Sequence, residues 1–134
     1  IEDAAASTDD LLSAIPDLAG LFVVWDTPAL AAANRLAERG ATMPMATVDL
    51  GEAAAIALAK GDSFCCIAAQ QPFQQGIAAA QTVILCLLGR PVPAWIALPG
   101  IGVTRDNVVE SFQTVWRLPA PREVLRLLGL SRGN

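Results

Sequence analysis

The sequence predicts an α/β domain built on a three-layer, Rossmann-like parallel sheet. Three features carry that expectation: short apolar runs of strand length, amphipathic helical stretches alternating with them, and a polar residue closing each run. The chain has 134 residues, enough for one core. Hydrophobic residues make up 54% and charged residues 16%, against about 25% charged in ordinary globular domains. Disorder is thereby excluded. A net charge of -4 and a pI near 4.6 argue against nucleic-acid binding, which needs a basic surface to neutralise phosphates. With no His, histidine triads, His-ligated metals and imidazole acid–base chemistry are absent. We expect no catalytic residues, no metal, no cofactor and no enzyme.

Ser7 or Thr8 can cap a first helix, with Asp9 and Asp10 in its first turn, Leu11, Leu12 and Ile15 as its apolar face, and Pro16 ending it. Leu21 to Trp25 is a continuous apolar run, the pattern of a parallel strand buried on both faces. It stops at Asp26-Thr27-Pro28, where Thr27 can cap and Pro28 suits the first helical position. Leu30, Ala33, Leu36 and Ala37 form one face of the helix that follows, closed by Gly40. Met43 to Val48 reads as a second strand ending at Asp49, and Glu52 to Lys60 as a short Ala-rich helix. Phe64 to Ala69 is a third strand ending at Gln70, and Pro72 opens a long helix stopped by Gly89. Beyond the rigid Pro91-Val92-Pro93 link, Trp95 to Val103 reads as one bent strand or two pieces. Thr104 to Asn107 is a turn and cap before a helix from Val108, and an amphipathic piece follows Pro119.

The mean hydropathy of +0.47 raises the question of a membrane span. The longest apolar stretch, Ile77 to Leu88, is interrupted by Gln81 and falls short of the ~20 residues a spanning helix needs. It reads as a buried core helix. The apolar excess also implies that part of the surface is covered by something outside the chain. Cys65, Cys66 and Cys86 lack metal-ligand spacing, and the adjacent pair in a strand should point to opposite faces as small buried hydrophobes. The start, Ile1-Glu2-Asp3, is acidic rather than basic-then-apolar, and no Met initiates the chain. It reads as a processed product or fragment and not as a leader.

Ligands of open α/β sheets sit at the carboxyl ends of the strands. Those ends are Trp25-Asp26, Asp49 and Gln70. A carboxylate accepts from neighbouring hydroxyls, a carboxamide donates and accepts, and an indole covers the C–H side of a sugar ring. The set suits a neutral polyhydroxylated ligand. Three of the four also have a plainer reading, while Asp49 ends an apolar strand with no obvious partner nearby in sequence. Asp26 equally suits a helix cap, Trp25 a core position, and Gln70 a hydrogen bond to the hinge backbone. Gly100-Ile101-Gly102 lacks the third glycine of a dinucleotide loop. The cluster Glu2, Asp3, Asp9 and Asp10 lacks the spacing of a calcium loop and reads as a solvated helix start.

Phe22 to Leu30 resembles the W-D-x-P-A-L strand–turn–helix of type I periplasmic sugar-binding proteins, the ribose-binding-like receptors of ABC importers. Val48-Asp49 resembles their V-G-x-D-G strand end, Ala69 to Gly76 their A-Q-x-P-x-x-x-G, and Val103 to Val108 their V-T-K-D-N-V. The resemblance implies that Asp49 and Gln70 hydrogen-bond sugar hydroxyls. Trp25 stands where ribose-binding members have an asparagine, so ribose itself is disfavoured. It further implies that residues 1–71 are part of the C-terminal sugar-binding lobe and that 72–95 are a helix and link belonging to the other lobe. Residues 96–134 would be a hinge-crossing strand and C-terminal helices. The implied partners are a monosaccharide or polyol, an importer permease, and the missing N-terminal lobe or a second copy. The implied location is periplasmic. The alternative on the same fold is the effector domain of a LacI-type repressor.

Overall fold

The structure, a computed structural model, describes residues 2–130; Ile1 of the acidic start lies outside them. Its elements alternate as the sequence predicts: α1 (Glu2–Ala14), β1 (Leu21–Val23), α2 (Asp26–Glu38), β2 (Met45–Val48), α3 (Glu52–Lys60), β3 (Phe64–Ala69), α4 (Pro72–Leu87), β4 (Ile101–Val103), α5 (Val108–Trp116) and α6 (Arg122–Leu127). The strands lie in the order β1-β2-β3-β4. The first three are parallel and β4 is antiparallel to β3. The chain leaves the sheet at the carboxyl end of β3 through α4 and returns at that same end, Ile101 pairing with Ala69. Its last strand must therefore run the other way.

Strands that step in one direction with right-handed crossovers place their helices on one face. That face is the core: Met45, Thr47, Ile67 and Val103 from the sheet meet Leu36, Leu58, Val108, Val115 and Val124 from the helices, each nearly sealed from water. The one buried strand hydroxyl, on Thr47, donates to the Val23 carbonyl at 2.7 Å. The opposite face, where Phe22, Ala46 and Cys66 are in register and Val48, Ala68 and Gly102 follow, carries no helix among the described residues. Phe22 is 60% and Val24 71% exposed. The α/β class holds, but β1 is not buried on both faces, because this chain brings two layers and not the third.

Ser7 and Thr8 do not cap α1. The helix begins five residues earlier because Ala4-Ala5-Ala6 are the best helix formers. Thr8 instead donates back to the Ala4 carbonyl at 2.7 Å. Asp9 then faces α2 and takes the guanidinium groups of Arg35 and Arg39 at 2.7 and 2.8 Å. The Arg35 hydrogen bond, with Arg39 helping, holds the Asp9 carboxyl below the usual carboxylate range. A depressed folded pKa stabilises the fold above the ordinary carboxylate value near ~4 and loses that contribution as pH falls through the folded value. Protection factors of the α1 amides, with intrinsic exchange divided out, should therefore fall between pH 5 and pH 3 more than those of α3, and Asp9→Asn should show the lower protection already at pH 5.

Further local readings need adjusting. Helix α2 begins at Asp26, so Thr27 and Pro28 sit inside its first turn. Gly40, at φ 65°, closes it through Gly40 and Ala41 amides bonded to Ala37 and Leu36 carbonyls, as a C-terminal glycine should. Asn107 folds its side chain back onto Thr104 and Gly102 rather than capping α5. Between Trp95 and Val103 only the last three residues form a strand. Cys65 and Cys66 do not point apart. Met45 pairs with Phe64 but Ala46 pairs with Cys66, so Cys65 is the extra residue of a bulge. The two sulfurs come within 3.8 Å, and burial pushes the Cys66 thiol up. Cys65 and Cys86 are exposed. The largest departure is α4, which buries no residue. Ile77, Val83, Ile84, Leu87 and Leu88 all stand open, since among the described residues no element packs along them as it would along a core helix.

Candidate functional site

All four residues singled out at the strand ends line one cleft of about 400 Å³, with Leu50, Gly51, Pro72, Gln75, Val115 and Trp116. The cleft lies at the carboxyl ends of β1, β2 and β3 and is closed at one side by the end of α5. No Lys or Arg is among its lining residues, so its chemistry is carboxylate, carboxamide and indole.

Two of its residues hold backbone conformations that side chains avoid. Trp25 has φ 113° and Asp49 φ 72°. The Asp49 conformation is the left-handed one that Asp tolerates. That of Trp25 is sparsely populated and costs on the order of 1–3 kcal/mol, strain that clusters at functional sites. It leaves Trp25 56% exposed, so this residue stands at the mouth of the cleft and not in the core.

Asp49 and Gln70 are joined directly, Gln70 Nε2 donating to Asp49 Oδ1 at 2.8 Å. Asp26 is engaged differently. It is buried, accepts the Gly51 amide at 2.9 Å through Oδ2, and receives the Thr27 hydroxyl at 3.2 Å on Oδ1. It caps no helix of its own but fixes the start of its neighbour, since Gly51 is the N-cap residue of α3. A Cβ at Gly51 would overlap the Asp26 carboxylate. Gly51→Ala should therefore break this link and lower stability by about 1–3 kcal/mol, the penalty of a buried acceptor losing its donor. A denaturant midpoint unchanged by that substitution would contradict the contact.

The hinge-backbone bond that suited Gln70 is made by its neighbour, Gln71 Nε2 donating to the Pro99 carbonyl at 2.8 Å. That contact ties the outgoing chain to the returning one. Arg117 adds a second tie, its guanidinium lying 5.5 Å from the Phe73 ring centre. Sequence reasoning missed Trp116 and Gln75. Trp116 follows the buried face of α5 (Val108, Phe112, Val115) and donates its indole N–H to the Leu50 carbonyl at 2.6 Å. The signal was an aromatic residue four positions after Phe112, in the last turn of an amphipathic helix.

Similarity searches give this geometry its setting. No protein-family model matches the chain, and no curated protein does. Solved structures do match. An ABC transporter solute-binding protein from Agrobacterium vitis with bound allitol is 28% identical, with a TM-score of 0.71 over 84% of this chain and 40% of its own. An ABC sugar transporter subunit from Rhodobacter sphaeroides 2.4.1 is 27% identical, with a TM-score of 0.65 over 79% of this chain and 39% of its own.

The fold is that of a type I periplasmic sugar-binding protein.

A second A. vitis solute-binding protein, bound with α-D-tagatopyranose, shares the fold at 22% identity and a TM-score of 0.74, over 88% of this chain and 39% of its own. The chain thus spans about 40% of the length of the sugar-binding proteins it matches. These neighbours are solute-binding proteins and not enzymes. Among the described residues no helix is long and apolar enough to cross a membrane.

Proposed function

We propose that the chain carries the sugar-recognising strand ends of a periplasmic solute receptor. In this reading it binds a neutral monosaccharide or polyol between two lobes for delivery to an ABC importer permease. The observation that carries the reading is the convergence of Trp25, Asp49 and Gln70 from three successive strand ends on one cleft without a basic residue. Asp49 keeps one carboxylate oxygen free for ligand hydroxyls, and the Trp25 face is open to a C–H surface. In the same reading residues 72–95 dock on the other lobe, which supplies the missing cover for the apolar side of α4.

The test is a tryptophan-fluorescence titration of the chain joined to a complementary N-terminal lobe, with allitol, D-tagatose, D-arabinose and, as the charged control, gluconate. The expected result is a saturable response to at least one neutral compound and none to gluconate, whose carboxylate would face Asp49 without a cation. Response to gluconate alone, or to none of the four, would overturn the reading.

A further inference from the structure

Resting on the reading above, we propose that Gln75 is a positioning residue that holds the Gln70 amide in the orientation the Asp49 carboxylate selects, and so keeps the Asp49–Gln70 pair set for its ligand groups. Three side chains form a directed relay: Gln75 Nε2 donates to Gln70 Oε1 at 2.9 Å, and Gln70 Nε2 donates to Asp49 Oδ1 at 2.8 Å.

The direction follows from the last member. An ionised carboxylate only accepts, so Gln70 must turn its NH₂ toward Asp49 and its oxygen toward Gln75, which must then donate. The Asp49 carboxylate selects which face of the Gln70 amide it meets. Gln75, whose own amide follows that choice, ties down the opposite oxygen and holds the side chain in place. The spacing is what a helix start provides: Gln75 sits in the first turn of α4, its amide bonded to the Gln71 carbonyl. Side chains there lean toward the helix N-terminus, back over the end of β3.

With the polarity set, the pair offers the remaining lone pairs of Asp49 and one outward N–H of Gln70. That is the complement of a vicinal diol, which donates through one hydroxyl and accepts through its neighbour. Because Gln75 belongs to α4, the order of the site is tied to the helix that leaves the sheet at this point.

Two arms test this, both reading the Gln70 side chain. In the ligand-free chain, Gln75→Met removes the donor at nearly constant shape, and the Gln70 side-chain amide protons, followed by ¹⁵N-edited NMR, should exchange with solvent several-fold faster. Gln75→Lys keeps a donor and should restore the wild-type rate. Gln75 is exposed, so neither change threatens the fold. In the assembled receptor, Gln75→Met should weaken allitol binding about tenfold, while in a Gln70→Ala background it should do nothing further. Gln70 amide exchange unchanged in Gln75→Met overturns the proposal, as does equal loss of affinity in the two backgrounds. If the exchange arm behaves as expected but the wild type binds none of the four compounds, the positioning role of Gln75 stands and the sugar reading falls.

Discussion

Asp49→Ala should raise the dissociation constant for a neutral polyol by about 100-fold in the assembled receptor. A hydrogen bond to a charged group contributes about 1.5–3 kcal/mol, and about 1.4 kcal/mol is a factor of ten. Two ligand hydroxyls on one carboxylate therefore account for two decades. The substitution also strips Gln70 of its acceptor, so the second polar contact is disordered at the same time. Asp49→Asn is the control for the fold: it keeps the left-handed backbone at φ 72°, which Asn tolerates, and one acceptor for Gln70. It should cost about tenfold, because the charge and the ligand-facing acceptor are lost while the Gln70 contact and a polar group remain. Calorimetric titration of the three proteins gives the order wild type, Asn, Ala. Equal affinities for wild type and Asp49→Ala would remove Asp49 from the site.

Leu58→Ala should destabilise the chain by about 2–5 kcal/mol, as large-to-small substitutions in sealed cores do. Leu58 is 1% exposed on α3, the helix that touches α2, α5, α6 and the sheet, so its neighbours have little freedom to collapse into the gap. Leu87→Ser is the counterpart on α4. Leu87 is 81% exposed, and its loss should leave stability within about 0.5 kcal/mol, the range of surface substitutions. The sequence alone ranks the two the other way, since Leu87 lies in the most apolar stretch of the chain. Urea unfolding of both variants decides it: a large loss at Leu87 would mean that α4 is packed after all.

That inversion shows where the sequence was legible. Element type and order followed from local pattern: Gly40, Gly61 and Gly89 stop helices where their positive φ is needed, and the runs Met45–Val48 and Phe64–Ala69 are strands. Trp25, Asp49 and Gln70 meet in one cleft because chain polarity in a parallel sheet puts successive strand ends on the same side. What hydropathy could not give was the side on which an apolar segment finds its cover. The periodicity of α4 is that of a core helix, yet it is open, and β1 reads as doubly buried, yet one face is bare. Both surfaces are apolar and yet exposed among the described residues. Trp116 and Gln75 were missed for a different reason: local pattern marks Trp116 as the last aromatic of an amphipathic helix, but the placement of both depends on where a helix end meets a strand end. The Cys65–Cys66 bulge is of the same kind, a register shift invisible to strict alternation.

The central claim is that the strand-end cleft takes a neutral polyhydroxylated ligand. The most direct test is a ¹⁵N–¹H NMR titration of the assembled receptor with allitol, following the Trp25 indole and the Gln70 side-chain amide. The account predicts saturable shifts at both, with the amides of Asp49, Leu50 and Gly51 moving in step and those lining the groove between α2 and α3 (Ala33, Ala37, Ile56) staying still. Shifts confined to that groove, or saturable binding that leaves Trp25 and Gln70 unmoved, would contradict it.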